Sequence, residues 1–203
     1  MAFEPRVGGA ALAATMALGV CLSAPPVQAG YVVTLEQVGG DVVASGNGAI
    51  DVTGLSSPAP TGSLGAQIEP ALGLMVTRPA VAEPLDAYFG LTGPASFGIG
   101  SPSGANSGSG DTVAINGFSL GLGLPPGYIN DSVLLDTATY TGQTFSSLGV
   151  TPGRYEWTWG DGANQNLTLV IGEVPEPSTW AMMLLGFAGL GLVGCRRRRA
   201  GLA

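Results

Sequence analysis

The side chains able to do chemistry in this chain are mostly carboxylates and hydroxyls. There is no His and no Lys, so neither an imidazole base nor a Schiff-base amine is on offer. Cys21 and Cys195 fall in two apolar segments near the chain ends. The middle therefore has no thiol nucleophile, disulfide or zinc knuckle. Among the acids, Asp131 and Asp136 are five apart, and Glu156 and Asp161 flank Trp157 and Trp159. Two carboxyls set across a cleft can hydrolyse a glycosidic bond, so a membrane-anchored glycan hydrolase using an Asp/Glu pair is the alternative reading. Acids in polar loops are more often solvated turn residues. The favoured expectation is a non-enzymatic protein with no catalytic residues and no cofactor. Asp161, Asn164 and Asn166 share one loop and offer the oxygen ligands calcium takes. That spacing departs from the EF-hand pattern and has no closing Glu, and such turns also form for backbone reasons alone.

The strongest local pattern lies just before that loop. Thr151-Pro152-Gly153 reads as a turn, after which Tyr155, Trp157 and Trp159 alternate with Arg154, Glu156 and Thr158. A period of two places the aromatics on one face of a strand. Leu167, Leu169 and Ile171 then supply an apolar face for the opposing strand of a hairpin. Buried, the three aromatics are core; exposed, they would form a platform on which sugar rings stack. The core reading is favoured.

The elements around this hairpin are short. Gly, Ser, Thr, Asn and Pro punctuate residues 30–172 every eight to fifteen positions. Between them, strands are expected at Tyr31 to Leu35, Ala49 to Thr53, Leu72 to Thr77, Ala87 to Leu91, Thr112 to Ser119, Ser132 to Asp136, Ala138 to Phe145, Arg154 to Trp159 and Leu167 to Ile171. The Gly-rich stretches Ser45 to Gly48 and Gly100 to Gly110 read as loops. Pro58-Ala59-Pro60 reads as a break after an N-terminal hairpin. This is the pattern of an all-β fold, a single β-sandwich-like domain. Its eleven acids against two bases, Arg78 and Arg154, give a net charge of −9. A nucleic-acid backbone would be repelled, so no nucleic-acid partner is expected.

Both chain ends read as segments rather than domain. In residues 1–29, Arg6 precedes an uncharged run from Val7 to Leu22, Pro25 and Pro26 break it, and Val27-Gln28-Ala29 forms a small-x-small box. This is a secretory signal peptide with cleavage expected after Ala29. Residues 173–203 hold Pro175-Glu176-Pro177, an apolar helix expected at about 179–195, and the basic tail Arg196, Arg197, Arg198 and Arg199. The sixteen residues from Trp180 to Cys195 span roughly 24 Å as a helix. That is short for a hydrocarbon core of about 30 Å, a gap that snorkelling Arg side chains close. Four Arg beside the span orient the membrane helix with its C-terminus in the cytoplasm, giving an N-out, C-in topology.

The order of Pro-Glu-Pro, short apolar helix and Arg cluster over Val174 to Arg199 resembles the PEP-CTERM sorting domain of bacterial exported proteins. The run Pro175-Glu176-Pro177-Ser178-Thr179-Trp180 carries most of the likeness. The resemblance implies processing near Pro175, Glu176 and Pro177 by an exosortase, a membrane protease. It also implies a cell-surface destination in a setting of extracellular polysaccharide or biofilm matrix. Each Pro fixes φ and removes a donor, so the motif stays extended, the form a protease grips. The expected protein is thus an exported structural or binding protein. Its partners are the exosortase, the membrane and extracellular polysaccharide.

Overall fold

The computed structural model of the chain describes residues 30–79 and 81–172. The signal segment with Ala29, the Pro175–Pro177 motif, the helix expected at about 179–195 and Arg196 to Arg199 lie outside the described residues. Those residues are all-β, as the punctuation of the sequence leads one to expect. They form two sheets.

The first sheet runs in the order β12 (Gly153–Thr158), β13 (Asn166–Ile171), β1 (Tyr31–Val38), β2 (Asp41–Ala49), β11 (Val133–Tyr140) and β8 (Ser107–Gly110). The second runs β3 (Ala59–Leu64), β6 (Glu83–Phe89), β10 (Gly121–Leu124), β9 (Val113–Asn116), β5 (Leu74–Thr77), β4 (Gln67–Glu69) and β7 (Ser103–Gly104). Most neighbours are antiparallel. The exception in the first sheet is β1 beside β13, parallel, with Tyr31 opposite Leu167 and Leu35 opposite Ile171. The first and last strands of the unit are therefore central neighbours. The described chain begins at one end of the sheet and leaves from the other.

Alternation explains the core. Tyr31, Val33 and Leu35 of β1, Val42 and Ala44 of β2, Leu134, Ala138 and Tyr140 of β11, and Leu167, Leu169 and Ile171 of β13 are buried. Ile68, Met75, Tyr88, Ile115, Leu122 and Leu124 from the second sheet join them in one cluster. Each sheet thus turns one period-two face toward the other.

Several strands fall where loops were expected. The stretch Ser45 to Gly48 belongs to β2 rather than to a loop, and Gly100 to Gly110 contains β7 and β8. The reason is close approach, which glycine in a strand often marks. A Cβ on Gly46 would overlap the Tyr31 hydroxyl and Asp136, and one on Gly108 would overlap the backbone of Arg78 and Thr137. The Pro58-Ala59-Pro60 break is where the chain leaves the β1–β2 hairpin and starts β3 of the second sheet. The pieces expected at Ser132 to Asp136 and Ala138 to Phe145 merge into one strand, β11, which ends at Tyr140, short of the expected Phe145. It is followed by α1 (Phe145–Leu148), a single turn capped by Thr144, whose hydroxyl accepts the Ser147 N–H at 3.1 Å.

Candidate functional site

The hairpin of β12 and β13 pairs Tyr155 with Leu169 and Trp157 with Leu167, the apposition their alternation suggests. Trp157 is fully buried. Its indole Nε1–H donates to Pro94 O at 2.9 Å, so the ring's one polar atom is satisfied inside the fold. Trp159 and Tyr155 are half-buried against the same cluster. The Trp159 Nε1–H donates to Asp51 O at 2.7 Å. The Tyr155 hydroxyl donates to Thr151 O at 3.0 Å, and its ring lies 6.0 Å from Phe97 at a 60° tilt. Trp157 therefore presents no ring face to solvent. Tyr155 and Trp159 each have their polar atom bonded to backbone.

The loop after Trp159 is held by long-range bonds. Gln165 Nε2 donates to Asp51 Oδ2 at 3.2 Å and to Thr53 O at 2.9 Å. Asn164 Nδ2 donates to Asp131 Oδ1 at 2.6 Å, and Asn164 Oδ1 accepts the Gly30 N–H at 3.0 Å. The amide oxygen that a cation would need from Asn164 is thus already engaged. Asn166 Nδ2 donates to Ala163 O at 3.1 Å, while Asp161 sits exposed at the loop. Among the described residues, no group of three or more acidic, Cys or His side chains is placed to hold a metal ion. The hydroxyl and N–H of Thr53 hold the Asp51 carboxyl below its ordinary range.

The acids singled out in the sequence do not share an environment. Asp131, Glu156 and Asp161 are exposed. Asp136 is 4% exposed and faces the core from β11. The Tyr31 hydroxyl donates to its Oδ2, while its Oδ1 has no hydrogen-bond partner. Burial is the main cause that raises its pKa from 3.8 to about 6. The Tyr31 and Thr77 hydroxyls pull the other way, and the Asp111 charge adds a smaller upward push. The groove over β2, β8 and β11 contains Asp136 as its one acid. A second groove, on the outer face of β6, β9 and β10, is floored by Leu85, Ala87 and Ala114 and contains no acid. The pairing of Tyr31 with Asp136 was not foreseen. The signal was present in β11, where Asp136 takes the inward place in the series Leu134, Ala138, Tyr140.

The C-terminal end of the unit is equally well defined. Gly172, the last described residue, has φ of +83° and donates its N–H to Leu35 O at 2.9 Å. The PEP-CTERM protein-sorting motif matches residues 173–199, beginning at the next residue. The sorting motif expected from Pro175-Glu176-Pro177, the apolar run and the Arg cluster is thus the motif found, and it supports an exported, exosortase-sorted protein. No curated protein and no solved structure is significantly similar to the chain.

Proposed function

We propose that the chain is an exported structural or binding protein whose residues 30–172 form a non-enzymatic, β-sandwich-like extracytoplasmic domain. A signal peptide ending at Ala29 directs it through the inner membrane. The helix at about 179–195 and Arg196 to Arg199 hold it N-out, C-in until an exosortase cuts near Pro175-Glu176-Pro177. It is then released to the cell surface or a polysaccharide-containing matrix.

The observation that carries this reading is the junction at Gly172. The sorting motif begins two residues after the last described strand ends at Ile171, so removing the motif removes none of the described strands. The acidic balance of the domain keeps it from nucleic acid, and the inward placement of Asp136 favours a structural over a catalytic use of that acid. The test is a host with its exosortase deleted. The unprocessed protein should stay in the membrane fraction there and reach the surface in the parent strain. Equal surface display in both strains would contradict the reading.

A further inference from the structure

The start of β1 is built in an unusual way. Gly30 is buried, although it precedes a strand at the centre of a sheet. Its N–H donates to Asn164 Oδ1 at 3.0 Å, and Asn164 is in turn bonded to the Asp131 carboxylate at 2.6 Å. Beside it lies Asn166, whose Oδ1 is buried and has no hydrogen-bond partner. The bond from Asn166 Nδ2 to Ala163 O fixes which end of that amide is the oxygen. A Cβ on Gly30 would overlap Asn166 Oδ1, and Gly30 has φ of +107°. Glycine is thus required here both by conformation and by contact. A buried acceptor left without a donor is costly, and an amide N–H supplies only one proton to two side-chain oxygens.

An ammonium group would supply three. Hydrolysis of the Ala29–Gly30 peptide adds the oxygen of water to the Ala29 carbonyl carbon. Gly30 is left with a free amine that takes up a proton near neutral pH. We propose that Asn164 and Asn166, backed by Asp131, form a binding site for the α-ammonium group that this cleavage creates on Gly30. The proposal rests on the cleavage reading given above. The charges nearby suit it. Asp51 bonds to Gln165 of the same loop, Asp131 bonds to Asn164, and Asp161 lies on that loop. The two basic residues among those described are elsewhere: Arg154 is opposite Val170, toward the other end of β13, and Arg78 is bound to Glu83. Signal removal then does more than trim the chain. It places a cation among acceptors at the centre of the first sheet, joining β1 to the loop before β13.

The chain has no lysine, so this α-amine is its sole primary amine and can be labelled without ambiguity. The experiment takes the exported protein from its host, identifies its first residue by N-terminal sequencing, and measures trace acetylation by acetic anhydride against pH, native and in urea. The expected result is Gly30 first, native labelling at least about tenfold slower than in urea, and a titration midpoint above the ordinary α-amine range of about 7.7–8.0. Acceptors raise that midpoint, whereas burial without them lowers it. Asn164→Ala should bring the midpoint back down. A first residue other than Gly30 would overturn the cleavage reading and the proposal together. Gly30 first, with native labelling as fast as in urea or a midpoint below that range, would overturn the proposal alone.

Discussion

The Gly172 N–H donates to the carbonyl of Leu35 at 2.9 Å, one residue before the sorting motif starts at 173. Because β1 and β13 are parallel neighbours, the described chain leaves from within a sheet, with β12 and β1 on either side of β13. Loss of the motif should therefore leave stability unchanged. Thermal melts of the processed and unprocessed protein should coincide, and a lower melting temperature after processing would show that residues beyond Gly172 support the domain.

The aromatic hairpin separates its two tryptophans. Trp157 is fully buried with its Nε1–H bonded to Pro94 O, so Trp157→Ala should cost roughly 3–5 kcal/mol, the usual range for emptying a large core site. Trp159 is half-buried and should cost less. Thr158→Ala, on the other face, should do little. Urea unfolding of the three variants checks the order, and a Trp157→Ala protein as stable as the parent would contradict a core role.

Asp136 should make the domain less stable as pH rises. Its pKa in the fold is raised, from 3.8 to about 6, so between those values the folded state binds more protons than the unfolded. Its stabilising effect is complete below the lower value and lost by the upper one. The size of that loss is about 3 kcal/mol. Asp136→Asn should remove this slope, gaining on the parent between about pH 4 and pH 7. Tyr31→Phe, which deletes the hydroxyl donor to Oδ2, should steepen it. Unfolding curves of parent and Asp136→Asn that stay parallel over that window would contradict the assignment.

Gly46 gives a steric counterpart. A Cβ there would overlap the Tyr31 hydroxyl and Asp136. Gly46→Ala should cost about 1–3 kcal/mol, as overpacking a filled core does. Chemical denaturation reads it directly, and no loss would mean the site can relax around a methyl group.

What the sequence made legible was local. The alternation of Tyr155 and Trp157 against Leu167 and Leu169 gave the last hairpin and its two facing apolar sides, because period two is written in adjacent residues; the register that pairs Trp157 with Leu167 came from the structure. The PEP-CTERM motif was legible for the same reason: Pro175-Glu176-Pro177, the apolar run and Arg196 to Arg199 are contiguous. The strands containing Gly46, Gly48, Gly108 and Gly110 were not legible. Their glycines look like loop residues until the backbone or side chain that packs on each is known, and those partners are far away in the chain. Asp136 is similar: its partner Tyr31 lies 105 residues away. The bond between Gly30 and Asn164 spans 134 residues, and neither residue type announces it.

The Arg cluster has its own test. Replacing Arg196, Arg197, Arg198 and Arg199 by neutral residues should reduce the fraction of molecules with a cytoplasmic C-terminus, since positive charge sets orientation. A reporter fused after Ala203 and active only in the cytoplasm should lose signal. An unchanged signal would remove the orienting role from the cluster.

The central claim is that this chain is cut at both ends and keeps the fold between them. Intact mass of the protein extracted from the surface of an exosortase-bearing host tests it most directly. The mass should correspond to a chain that starts at Gly30 and ends near Pro175-Glu176-Pro177. A mass that still includes Trp180 to Arg199 would contradict exosortase processing and leave a membrane-anchored domain in its place.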